Sequence, residues 1–161
     1  MGTIFLKKFF LDCLLKYVAP VLVWLVLIFY LSSQPGLKAG VVWFWEIILR
    51  KLAHFGEYAV LFFLLHRWFH QGCSWSRGKA AGWAIALAWL YSFSDEGHQL
   101  LVAGRSARLV DVWVDLLGIL FMAGWLSSRR SNQPLLTHWL SGLTVGLLLI
   151  TLVGMIYFDG P

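Results

Sequence analysis

Five apolar runs, each closed by a polar or turn-forming stretch, organise the chain. The first begins behind Lys7 and Lys8, takes in Lys16 and runs from Leu14 to Leu31, 18 residues, enough to cross a hydrocarbon core of roughly 30 Å. No small-residue cleavage pattern follows it, so the run predicts a retained transmembrane helix rather than a signal peptide. Ser32, Ser33, Gln34, Pro35 and Gly36 end that helix, because proline disfavours helix at the residue before it. A loop to about Val42 follows. The second run, Trp45 to Trp68, is interrupted by Glu46, Arg50, Lys51, His54 and Glu57. At about 100° per residue Lys51, His54 and Tyr58 share one face with Glu57 at its edge, and Phe55, Phe62 and Phe63 point elsewhere. The polar stripe must therefore face other helices or water, not lipid.

Arg67 to Lys79 reads as a short polar link carrying Arg67, His70, Arg77 and Lys79. A third helix is predicted from Ala80 to Phe93. Its small residues, Ala80, Ala81, Gly82, Ala84, Ala86 and Ala88, allow close backbone approach in a membrane bundle and place it near the centre. Ser94, Asp95, Glu96, His98 and Gln99 follow, then a short stretch from Leu100 to Arg108 with a turn at Gly104. The fourth helix, Leu109 to Ser127, carries Asp111, Asp115 and Gly118 on one face. Ser128 to Pro134 is polar, and Leu136 to Phe158 makes a fifth helix whose main polar departure is His138 at its start.

Composition agrees with this pattern. The chain has 161 residues, 60% hydrophobic and only 13% charged, against roughly 25% charged in soluble domains; its mean hydropathy is +0.74. That describes a single-domain integral membrane protein. Trp43, Trp45, Trp113, Trp125 and Trp139 are placed to anchor the membrane interfaces. The net charge of +5 does not indicate nucleic acid, because the basic residues stand in short groups at the ends of apolar runs rather than on one soluble face. Cys13 and Cys73 give neither a disulfide framework nor a metal-ligand spacing.

Charge also sets the orientation. Short loops rich in Lys and Arg remain cytoplasmic. With the N-terminus inside, Lys7, Lys8, Lys16, Arg67, Arg77, Lys79, Arg129 and Arg130 lie inside, and Lys38, Arg50, Lys51, Arg105 and Arg108 outside. The start of helix two, the end of helix three and the start of helix four then share the outer surface, and all three carry ionisable groups.

The densest chemistry lies between Tyr91 and Gly118. Ionisable groups in a bilayer cost roughly 2.5 to 3.5 kcal/mol each at a helix centre, so a cluster of them marks a functional site. Asp95 and His98, or Glu96 and Gln99, are three apart and share a helix face. A carboxylate beside an imidazole can orient it as a general base; in the alternative, the carboxylates pair with Lys51, Arg105 or Arg108 and lock helices together. Glu96, His98, His54 and Asp95 are the candidates for acid/base work. Lys51, Arg105, Arg108, Gln99, Glu57 and Tyr58 are the candidates for ligand contact, the arginines because a planar fork suits phosphate or carboxylate. Asp111 and Asp115 are expected to be interior partners of basic groups. His54 with Glu57, plus Asp95, Glu96 or His98, has the donors for a divalent cation, but no sharply spaced signature is present and no metal or cofactor is assigned. Ser106 does not lie in a G-x-S-x-G motif. His66, His70 and His138 read as solvated interface residues.

The polar blocks carry a family resemblance. F-Y-L-S-S-Q-P at 29–35, K-L-A-H-F-G-E-Y-A-V-L at 51–61, S-D-E-G-H-Q at 94–99, G-R-S-A-R at 104–108 and D-V-W-V-D-L-L-G at 111–118 resemble the motifs of the VanZ-like family, named after a teicoplanin-resistance protein of bacteria. The resemblance covers about residues 20–126 and leaves the fifth helix outside. It implies a multi-pass bacterial membrane protein, associated in some members with reduced lipoglycopeptide susceptibility.

The expectation is an all-α polytopic membrane bundle of about five transmembrane helices in the bacterial cytoplasmic membrane. Its outer-leaflet polar site would bind an anionic amphiphile: a lipid-linked precursor, a phospholipid or a lipoglycopeptide. A membrane enzyme acting on a lipid headgroup and a purely structural ion-pair core are the alternatives. Transport is disfavoured, because the inner helix halves are almost wholly apolar.

Overall fold

A computed structural model of the chain describes residues 11–34, 43–103, 105, 108–129 and 134–158, without the side chains of 43, 134–137 and 158. The expected turn at Gly104, Ser106, Pro35 and the groups on Lys7, Lys8, Lys38 and Arg130 lie outside these residues. All regular structure among the described residues is helical.

Helix α1 spans Leu11–Ser33 and contains a π-turn over Leu14–Val18, in which the Ala19 amide donates to the Leu14 carbonyl. Pro20 explains the wider turn: it has no N–H for the Lys16 carbonyl, and its ring crowds that carbonyl outward. Helix α2 covers Trp43–Arg67 and runs on through a second π-turn, Trp68–Gly72. The chain then reverses at Ser74, whose φ of 56° is the left-handed conformation a sharp bend needs. Helix α3 is Arg77–Gln99, α4 Leu109–Ser128 and α5 Pro134–Phe158.

Two boundaries differ from expectation. The link after α2 shrinks because helix continues to Gly72, where His70 Nδ1 bonds the Trp75 carbonyl at 2.8 Å and fastens the bend. Helix α3 does not stop at Phe93 but carries the Ser94–Gln99 block in its last turns. Asp95, Glu96 and Gln99 are buried there, so neighbouring helices stabilise polar residues that read locally as a helix end.

Leu11–Ser33, Leu109–Ser128 and His138–Tyr157 are long and apolar enough to cross a membrane. Helices α2 and α3 have 25 and 23 residues, about 37 and 34 Å at roughly 1.5 Å per residue. They are long enough to span, but their charged stripes lower the hydropathy that would mark them as spans alone. Those stripes turn inward.

The central element is α2, which packs against each of the other four helices. Helix α3, expected at the centre, instead offers one smooth face, Ala80, Ala84 and Ala88, to the core, and turns Trp83, Trp89, Leu90 and Phe93 outward. The core joins Val21 and Ile28 of α1, Tyr58, Leu61, Phe62 and Leu65 of α2, the alanines of α3 and Ile119 of α4. Phe62 therefore lies on the Tyr58 side of α2 and not elsewhere, since four residues advance a helix by only about 40° beyond a full turn. Helix α5 lies on α4, packing Leu148 and Leu152 against Val114 and Leu117.

At one end of the bundle lie Lys16, Arg67, Arg77, Lys79 and Arg129; Lys16 and Arg67 sit over the Tyr17 ring, Lys79 over Trp75 and Arg129 over Trp125. Cys13 and Cys73 are both free thiols at this end. The other end gathers the tail of α1, the head of α2, the tail of α3 and the head of α4.

Candidate functional site

At that second end, residues scattered along the chain meet in a buried polar layer. Lys51, in the third turn of α2, forms an ion pair with Asp111 in the first turn of α4. One turn further into the bundle, His54 Nδ1 lies 3.1 Å from Asp115 Oδ1. Both pairs follow from matched helical spacing. Positions 51 and 54 share a face of α2, positions 111 and 115 share a face of α4, and the two faces are opposed.

What sets their separation is Gly118, one turn below Asp115. A side chain there would run into the Phe55 carbonyl, so the α2 and α4 backbones touch. The small residue permits the approach that brings carboxylate to imidazole.

Helix α3 contributes the third wall. Glu96 Oε2 accepts the Arg108 amide at 2.8 Å. Arg108 is the extended residue just before α4, so a carboxylate closes that helix's unsatisfied N-terminus, where its dipole favours negative charge. Single donor atoms of His54, Glu96 and Asp111 all lie within 4.8 Å of one another. Asp115 is 0% and Glu96 6% exposed, so the cluster is enclosed by protein.

A second branch runs from α3 to α1. Asp95 Oδ2 accepts from Gln99 Nε2 at 3.0 Å, and Gln99 Oε1 accepts from Arg105 Nη1 at 3.5 Å. The remaining fork of Arg105 donates to the carbonyls of Gln34 and Leu31, each at 2.8 Å. Both carbonyls lie at the end of α1, where the last turn leaves acceptors to fill; that of Leu31 also accepts the Gln34 amide at 3.2 Å. Burial against them lowers the Arg105 pKa from its ordinary value.

The tail of α1, F-Y-L-S-S at 29–33, with Gln34 after it, thus has a role that spacing did not assign. It also receives His98, whose ring stacks on Phe29 at 4.2 Å between centroids. His98 Nε2 lies 2.9 Å from Ser33 Oγ. Since the Ser33 hydroxyl donates to the Phe29 carbonyl at 2.7 Å, His98 is the donor in that pair.

The chain matches a family model described as VanZ/LLP1 over residues 17–130. The chain belongs to the VanZ/LLP1 family. No curated protein and no solved structure matches it. The VanZ/LLP1 match ends between α4 and α5, so the residues that build the polar layer lie within it and α5 does not.

Most of the residues expected to form the VanZ-like site are brought together: Lys51, His54, Asp95, Glu96, Gln99, Arg105, Asp111 and Asp115. Asp111 pairs with Lys51, whereas Asp115 meets the His54 imidazole rather than Arg105, Lys51 or a backbone group. The expected pairings at the end of α3 differ, however. Asp95 pairs with Gln99 rather than His98, and Glu96 turns to Arg108 rather than Gln99. A spacing of three permits a shared face, but helix neighbours decided which way each group turned. Glu57 is half-buried; Trp24 Nε1 donates to its carbonyl at 2.9 Å, and its charge lies in Coulombic reach of His54, Asp95 and Arg105. Tyr58 is wholly buried, and its hydroxyl has no hydrogen-bond partner among the described residues. Arg108 is exposed, as is Arg50 on α2.

At the opposite end a cavity of about 270 Å³ is lined by Phe62, His66, Arg77 and Leu126, among others. It shares no residue with the polar layer.

Proposed function

We propose that this VanZ-like protein resides in the bacterial cytoplasmic membrane, N-terminus inside, and binds the anionic headgroup of an amphiphile at the outer leaflet. The orientation follows from Lys16, Arg67, Arg77, Lys79 and Arg129, whose end of the bundle belongs on the cytoplasmic side.

One observation carries the binding reading. The Glu96 carboxylate that holds the Arg108 amide at 2.8 Å also belongs to the His54–Asp111 cluster. Exposed arginine at the membrane surface is thereby joined to buried acid/base groups. Arg50 and Arg108 both lie in Coulombic reach of Lys51 and form a basic rim, suited to a phosphate or carboxylate at headgroup depth. The rim is exposed, and headgroup contact is assigned to it; Lys51 lies against Asp111 and Arg105 against the end of α1. The ligand class covers lipid-linked cell-wall precursors, phospholipids and lipidated glycopeptides, and a contribution to lipoglycopeptide resistance belongs to the same reading.

The test is binding of the purified protein to nanodiscs doped with a polyprenyl phosphate or phosphatidylglycerol, against phosphatidylcholine alone. Arg108→Ala should weaken anionic-lipid binding about tenfold, the loss of one charge-assisted contact of about 1.5 kcal/mol, and Arg129→Ala should not. Equal binding by all three proteins would refute it.

The saturation of Lys51 and Arg105 favours a second reading, a structural ion-pair core without a ligand. Under it, Arg108→Ala changes no binding, and anionic and neutral discs behave alike. Chemical turnover of the lipid, lost in a folded Glu96→Gln variant, would convert binding into catalysis.

A further inference from the structure

We propose that His54, Glu96 and Asp111 form a site for one divalent transition-metal ion, with Asp115 orienting the imidazole.

The donor set comes first. One imidazole nitrogen and two carboxylate oxygens lie within 4.8 Å of one another, a span that a single ion with ligand bonds of about 2.0–2.2 Å bridges with small side-chain adjustments. In the neutral ring of His54, Nδ1 donates to Asp115 Oδ1 at 3.1 Å, which leaves the lone pair on Nε2. A carboxylate behind a metal-binding histidine fixes the tautomer and raises the basicity of the other nitrogen.

The second observation is unmet polarity. Glu96 Oε1 and Asp115 Oδ2 are buried without a hydrogen-bond partner among the described residues, as is the whole hydroxyl of Tyr58. Tyr58 is 0% exposed, follows His54 by one turn, and its oxygen lies in Coulombic reach of Asp115 and Asp95. Buried polar atoms without partners cost about 1–3 kcal/mol each. A cation between His54 and Glu96 would satisfy the free oxygen of Glu96 directly. It would also offset the carboxylates of Glu57, Asp95 and Glu96, all in Coulombic reach of His54.

Lys51 sets a limit. Its ammonium already holds Asp111, so ion and ammonium share that carboxylate or exchange on it. Mixed nitrogen and oxygen donors suit Zn²⁺ or Mn²⁺ over Ca²⁺. With three protein ligands, a coordination position remains open, as in sites where a metal activates water or polarises a bound oxygen.

This inference does not rest on the amphiphile reading, because it is measured without lipid ligand. Full-length protein in detergent, stripped with chelator, is titrated with Zn²⁺, Mn²⁺ and Co²⁺ while metal content and thermal unfolding are followed. One ion per chain is expected, with a raised unfolding temperature. His54→Ala and Glu96→Gln should bind at least tenfold more weakly, Asp115→Asn more weakly without abolition, and Glu46→Gln like the wild type. Should the ligand variants fail to fold, X-ray absorption on the wild type decides: one imidazole with oxygen neighbours supports the site. No saturable ion on the wild type, unaltered binding by folded His54→Ala and Glu96→Gln, or a first shell without imidazole would overturn it.

Discussion

Gly118 of α4 rests on the backbone carbonyl of Phe55 in α2, with no room for a side chain between them. Backbone cannot swing aside as a side chain can. Gly118→Ala should therefore push α2 from α4 and lengthen the adjacent His54–Asp115 contact, costing about 1–3 kcal/mol as core overpacking does. Thermal unfolding in detergent would show it; an unchanged midpoint would mean that the two helices do not meet at this point.

Lys51 and Asp111 form a buried ion pair, and removing one member of such a pair leaves the other unpaired at about 3–5 kcal/mol. Lys51→Met alone should be severely destabilising. Adding Asp111→Leu should recover most of the loss, because apolar replacement of both members is often neutral. A double-mutant cycle on unfolding midpoints checks this, and additive losses would deny the pairing.

Arg105 serves the end of α1 through two carbonyls, Leu31 and Gln34. A lysine can reach one such acceptor but lacks the fork. Hydrogen exchange over residues 29–34 should rise in Arg105→Ala and fall between the two in Arg105→Lys, with a stability loss near 1 kcal/mol for alanine. Identical exchange in all three would separate Arg105 from α1.

Cys73 is exposed at the basic end, whereas Leu101 is exposed at the polar-layer end. In a Cys13→Ser background, an impermeant maleimide should label Cys73 only in inverted vesicles. Leu101→Cys, with Cys73→Ser, should label only in intact cells. The reverse pattern would put the polar layer beside the cytosol and end the outer-leaflet reading.

Much of this was legible along the chain, because burying charge in lipid is so costly that ionisable residues reveal which helix faces turn inward. Lys51 and His54 on one face of α2, and Asp111, Asp115 and Gly118 on one face of α4, follow from helical period alone. His98 shows where that reasoning stops. Its neighbours in sequence are acids, yet it donates to Ser33 on α1, a partner 65 residues away that no local spacing indicates. Phe62 and the long tail of α3 fail for a related reason: local polarity says where a helix can end, and contact with other helices says where it does.

By itself, the sequence determined the helical pattern and the inward polar faces of α2 and α4, which depend on periodicity and on the cost of charge in hydrocarbon, and its motifs carried membership of the VanZ/LLP1 family. The tertiary structure alone decided which carboxylate meets which base. That choice depends on backbone distance between helices, set here by Gly118 against Phe55, and on carbonyls at the end of α1 that have no side-chain signature in the sequence.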